Sequence, residues 1–156
     1  MIFEMADSAA QPSGRGGARV VPEGPPLTNL EVVREGYARF NRGDIDWVIE
    51  HLDPKIVWED AKRMPDARVY RGREEVERFL RSFGRHWERI RFELDEVSEA
   101  ASSVLAFVRL VGVGRESGAE VNARLVHVWD MRDGKGLHIR TFFDRDEAQL
   151  ALGDNG

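Results

Sequence analysis

The chain has 156 residues, 42% of them hydrophobic, which suits one domain with a sizeable core. Acidic residues exceed basic ones by 28 to 23, which argues against the clustered positive surface that nucleic acid requires. Cysteine is absent, excluding disulfides, thiolate nucleophiles and thiolate metal sites. The four histidines, His51, His86, His127 and His138, show no ligand spacing, so neither a metal nor a cofactor is expected. No apolar run approaches the ~20 residues that span a bilayer. The N-terminus lacks a basic region followed by an apolar one. The simplest expectation is a cytoplasmic protein with no membrane partner.

Residues 1–27 are rich in Gly and Pro and poor in large apolar side chains. Such a segment buries too little to offset its ordering entropy and is expected to be a disordered tail. The domain is expected over 28–153. Thr28 and Glu31 have the spacing of a capping box, and Leu30, Val33, Tyr37 and Phe40 then recur at helical spacing. Gly43 ends that helix, and Asp44 caps a second one carrying Ile45, Val48, Ile49 and Leu52, which Pro54 stops. Residues 55–60 read as a strand and 61–71 as a polar loop. From Arg73, the apolar positions Val76, Phe79, Leu80, Phe83 and Trp87 mark a long amphipathic helix.

The period then shifts to strands near 90–98, 104–113, 120–131 and 137–143, separated by turn signals such as Asp133-Gly134-Lys135-Gly136. Gly112-Val113-Gly114 falls in a hairpin, so it is no phosphate-binding loop. A last short helix opens at Asp144 and closes at Gly153. Three helices followed by an antiparallel meander make an α+β pattern.

Several short motifs carry a resemblance. Gly43-Asp44-Ile45, Glu59-Asp60 at a strand end, Gly72-Arg73-Glu74, and the tail Phe143-Asp144-Arg145-Asp146-Glu147-Ala148 resemble the nuclear transport factor 2-like superfamily. That superfamily includes the SnoaL-like polyketide cyclases and the ketosteroid isomerases. The resemblance implies a cone-shaped α+β barrel, with three N-terminal helices packed on a curved antiparallel sheet around one apolar pocket. It places Asp60 where the isomerases carry their catalytic base. Their tyrosine donor falls on Gly36, with Tyr37 one residue and about 100° away, and their protonated aspartate donor falls on His127. With both donors changed, steroid isomerisation itself is not expected. The family register puts His138, Arg140 and Phe142 inside the cone. It also implies a homodimer through the sheet face, which should present Val126 and Val128.

Alternation along a strand groups Trp58 with Asp60, and Trp129 with His127, on one face. Asp60 is the candidate base, since an apolar pocket would raise its pKa, although it could instead cap the loop after its strand. Glu59 should face the other way. His127, between two valines, could donate to a carbonyl opposite Asp60 or be a satisfied core histidine. Arg140 and Arg109 would hold a ligand carboxylate or pair with acids. Trp58, Tyr37, Trp129 and Phe142 would line the pocket. Three functions stay open: a cofactor-independent isomerase, cyclase or lyase acting on a small apolar metabolite, a non-catalytic binder, and an interaction module with a filled pocket.

Overall fold

A computed structural model describes residues 25–155, with side chains placed through residue 152. The Gly- and Pro-rich tail expected over 1–27 lies, but for its last three residues, outside the described residues. The elements are α1 (Asn29–Asn41), α2 (Ile45–Glu50), β1 (Leu52–Glu59), β2 (Val69–Arg71), α3 (Gly72–His86), β3 (Trp87–Ala100), β4 (Ser103–Gly114), β5 (Glu120–Arg132), β6 (Lys135–Phe142) and α4 (Arg145–Asn155).

Local chemistry sets the helix ends. Thr28 Oγ1 accepts from the Glu31 amide, while the Glu31 carboxylate accepts from the Thr28 amide. Together they satisfy two donors that a helix start leaves free. Gly43 takes a φ of +84°, which a side chain would resist. Asp44 then caps α2 through the Trp47 amide. Pro54, expected to stop this helix, lies inside β1 instead, because α2 ends four residues earlier.

The six strands form one open sheet in the order β2-β1-β6-β5-β4-β3. The pairs from β3 through β6 are antiparallel, but β1 runs parallel to β6, with Trp58 beside Ile139. The sheet is therefore mixed rather than wholly antiparallel. Three-residue β2, read from sequence as loop, extends the far edge by pairing Tyr70 with Trp58.

One face of the sheet carries the main core. Ile56, Trp58, Ile139, Trp129, Val104 and Ala106 meet Val33 and Tyr37 of α1 and Val76 of α3 there. The opposite face carries Val126, Val128 and Leu105, covered by Ala148 and Leu152 of α4. Val126 and Val128 are thus buried within one chain, beneath α4. The final helix runs on to Asn155, past the expected stop at Gly153.

Trp87 leaves the helix it was assigned to and opens β3. Its ring lies over Gly112, where an added Cβ would sit 2.9 Å from the ring and 2.8 Å from the Arg89 carbonyl. Gly112→Ala is therefore expected to cost about 1–3 kcal/mol, read as a lower urea midpoint.

Candidate functional site

Strand register brings the candidate residues into one row across the inner face. Thr141 of β6 pairs with His127 of β5, and Ala106 of β4 follows. Glu59 pairs with Arg140, so Asp60, one residue beyond β1, stands level with Thr141. Asp60 and His127 are thus two strand spacings apart, roughly 10 Å, with the small Thr141 between them.

His127 is 2% exposed and belongs to a buried chain of three groups. The Trp129 Nε1–H donates to the Tyr37 hydroxyl at 2.9 Å, and that hydroxyl lies 2.7 Å from His127 Nδ1. Indole can only donate, so the phenol oxygen accepts from Trp129. We assign the phenol hydrogen to Nδ1, which leaves the proton of a neutral imidazole on Nε2. The Tyr37 and His127 rings lie 4° from parallel, with centroids 6.0 Å apart. Burial depresses the His127 pKa from 6.5 to about 4 and raises that of Tyr37.

Tyr37 serves this chain by orienting His127. Its position one residue from Gly36 does not turn it out of the core, because α1 packs over β3 and β4 and both positions are buried. The helical spacing of Tyr37 with Val33 and Phe40 was the sequence signal for this.

Asp60 sits at the edge of the row and is half-buried. Its Oδ2 accepts from the Arg68 amide at 3.1 Å, and its own amide bonds the Arg68 carbonyl. Burial raises its carboxyl pKa, against the lowering effect of the Arg68 amide and charge. Its charge in turn adds to the burial that raises the Tyr70 phenol. Tyr70 stacks on Phe79 at 4.1 Å, Phe79 meets the edge of Trp58, and Trp58 meets His127 at 5.7 Å. This aromatic wall joins the two ends of the row. A groove of about 690 Å3 between β2 and α3 exposes Tyr70, Phe79 and Arg68.

On β6 the structure departs from the family register by one residue. Ile139 is fully buried on the inner face, and His138, Arg140 and Phe142 point to the other. The reason is burial: Ile139 completes the core, while His138 and Arg140 find acids outside it. His138 Nε2 lies 2.5 Å from Glu59. Arg140 bonds Asp130 at 3.2 Å, and Asp130 also accepts from Ser103. Phe142 packs beneath α4.

Arg109, on the same outer face, bonds Asp95 at 3.0 Å. The Glu59–His138 pair was not anticipated, since its two residues are 79 apart in sequence and only the β1–β6 register joins them. It borders a cleft of about 500 Å3 at the ends of β1 and β6, which also reaches Asp60 and Thr141 and is flanked by α4. Among the described residues, no cluster of His, Asp and Glu could hold a metal ion, and no helix is long and apolar enough to cross a membrane.

Among the described residues, four helices on an open, curved six-stranded sheet make an α+β fold. Residues 33–138 match the SnoaL-like domain family, and the chain belongs to it. Solved structures agree. An NTF2-like protein from Burkholderia thailandensis E264 superposes with a TM-score of 0.69 at 29% identity, covering 81% of this chain and 98% of that one. A candidate SnoaL-like polyketide cyclase from Jannaschia sp. CCS1 gives 0.65 at 19% identity, covering 83% and 95%. A protein with a ketosteroid isomerase-like fold from Catenulispora acidiphila DSM 44928, solved with trimethylamine, gives 0.66 at 11%, covering 75% and 88%. No curated protein sequence matches the chain significantly.

Proposed function

We propose that the chain is a cofactor-independent enzyme of the isomerase, cyclase or lyase class, acting on a small apolar carbonyl compound. The observation that carries this reading is the row Asp60–Thr141–His127, in which the histidine is neutral and its tautomer is set by Tyr37. Asp60 acts as general base, since partial desolvation lifts its proton affinity toward the working range. It removes a proton from carbon, and the electron pair moves to the carbonyl oxygen. The His127 Nε2–H donates to that oxygen as charge develops there.

The donor is strengthened from behind. Tyr37 bonds Nδ1 from the side of α1, over β3 and β4, which leaves Nε2 as the ring's remaining donor.

The test is solvent deuterium exchange into 1-tetralone and 2-cyclohexenone, followed by NMR. The wild type is expected to exceed buffer, Asp60→Asn to lose at least 100-fold, and His127→Asn at least tenfold. Exchange no faster than buffer with either ketone, or an Asp60→Asn variant equal to wild type, would sink the proposal. In the same samples Asp60→Asn should raise the thermal midpoint at pH 7, because it removes a half-buried charge.

A non-catalytic binder is the second reading. What favours it is the enclosure of His127, which borders none of the described cavities. Such a binder would be stabilised by a ketone that it does not exchange.

A further inference from the structure

Trp58 anchors β1 in the core, but Asp60 lies beyond the strand's last residue, where pairing is short on both sides. Toward β6 the register breaks between Leu52 and Val57, so Val57, Trp58 and Glu59 alone pair at this end. On the other side stands β2, three residues long. Arg68, which bonds Asp60 through both its amide and its carbonyl, precedes β2 and shares its outlying position. Across the β1–β6 boundary the Glu59 carboxylate accepts from His138 Nε2 on the outer face. His138 is braced in turn. Its Nδ1 lies 3.8 Å from Asp130 of β5, and Asp130 accepts from Ser103 of β4 and from Arg140. The tie at Glu59 therefore leads back through β6 and β5 to β4.

We infer that His138, through Glu59, is a positioning residue for Asp60. Neighbouring residues on an extended chain face opposite ways, so a hold on Glu59 at the outer face turns Asp60 to the inner one. Asp60 exchanges its bonds with Arg68 as though β1 continued, which keeps that alternation in force. Without the tie, the strand end frays and the Asp60 carboxylate turns to water. It then loses the burial that raises its proton affinity. The Glu59 and His138 side chains are 26% and 32% exposed, so water screens this pair less than a surface one. The nearby Arg63 is engaged by Asp144 and Glu147 and does not compete for Glu59. The consequence for rate rests on the role proposed for Asp60; the orientation of its carboxylate does not.

The test compares His138→Ala with His138→Gln in the full chain, since a glutamine amide still donates to Glu59 from the place of Nε2. Asp60 is titrated by carboxyl carbon NMR, its signal assigned by its loss in Asp60→Asn. In the wild type and His138→Gln it should titrate above an ordinary aspartate, and in His138→Ala it should fall back toward one. Deuterium exchange into 1-tetralone should lose roughly tenfold or more in kcat in His138→Ala, with KM unchanged, and His138→Gln should recover most of it. Arg109→Gln, which breaks an ion pair on the same face away from β1, should move neither readout. Thermal midpoints show which variants are folded, and Glu59→Ala breaks the same tie if His138→Ala does not fold. An Asp60 titration unchanged in the folded alanine variant, or changed equally in His138→Gln or Arg109→Gln, would overturn the inference. A shifted titration with no exchange by the wild type would support it and sink the enzyme reading alone.

Discussion

Lowering the pH from 6.5 to 4 is expected to remove about 3 kcal/mol of folding stability through His127 alone. In the unfolded chain the imidazole takes up a proton near pH 6.5, whereas in the folded protein burial defers that uptake to about 4. Between those values the unfolded state binds more protons, so stability rises with pH across the window and is level for this group above it. The 2.5-unit interval, at 1.36 kcal/mol per unit, gives the figure. Asp60 runs the other way: its raised pKa favours the fold in acid, a contribution lost as pH rises through the folded value.

Urea unfolding at pH 7, 5.5 and 4.5 measures the net slope. His127→Asn keeps an acceptor for the Tyr37 hydroxyl while removing the titration, and should flatten the curve. An unchanged slope in that variant would show that His127 titrates exposed, and the buried hydrogen-bonded chain would then be wrong.

Ile139→Ala is expected to cost about 3–4 kcal/mol, because a fully buried side chain in the main core leaves a cavity that its strand neighbours cannot close. Arg140→Met, one residue on, should cost about 1 kcal/mol or less. It keeps the packed stem and gives up an ion pair to an Asp130 that retains its Ser103 hydrogen bond. The order of the two effects decides the register of β6. If Arg140 stood inside the cone, Arg140→Met would be the larger perturbation.

Most of the fold was legible because its signals are local. The capping box at Thr28, the glycine at 43 and the apolar spacing of α1 and α3 each act within a few residues, and the meander strands fall within a few residues of their expected bounds. What escaped depends on partners distant in sequence. Whether Ile139 or Arg140 faces inward is set by strands β1 and β5, and the segment 137–142 alternates well enough for either face. The family register chose the wrong one; burying the isoleucine would have chosen correctly. Strand β2 escaped because three residues are too few to show a period. Alternation grouped Trp58 with Asp60 and Trp129 with His127, and the resemblance supplied which face points inward. The hydrogen bond that defines His127 comes from Tyr37, 90 residues away, and no spacing rule reaches that far.

The parallel pairing of β1 with β6 also bears on how the chain reaches its native state. Val57 meets His138, 81 residues later, whereas β3, β4 and β5 are joined by short turns to the strands they pair with. Loop closure makes such a remote contact slow relative to hairpin formation. During synthesis the first strand finds β2 and α3 soon after it emerges, but its place in the sheet waits while the meander assembles from sequence neighbours. Only when the last strand leaves the ribosome can β1 and β2 be zipped onto the sheet. The residue that the proposed chemistry relies on, Asp60 at the end of β1, is thus among the last to reach its place.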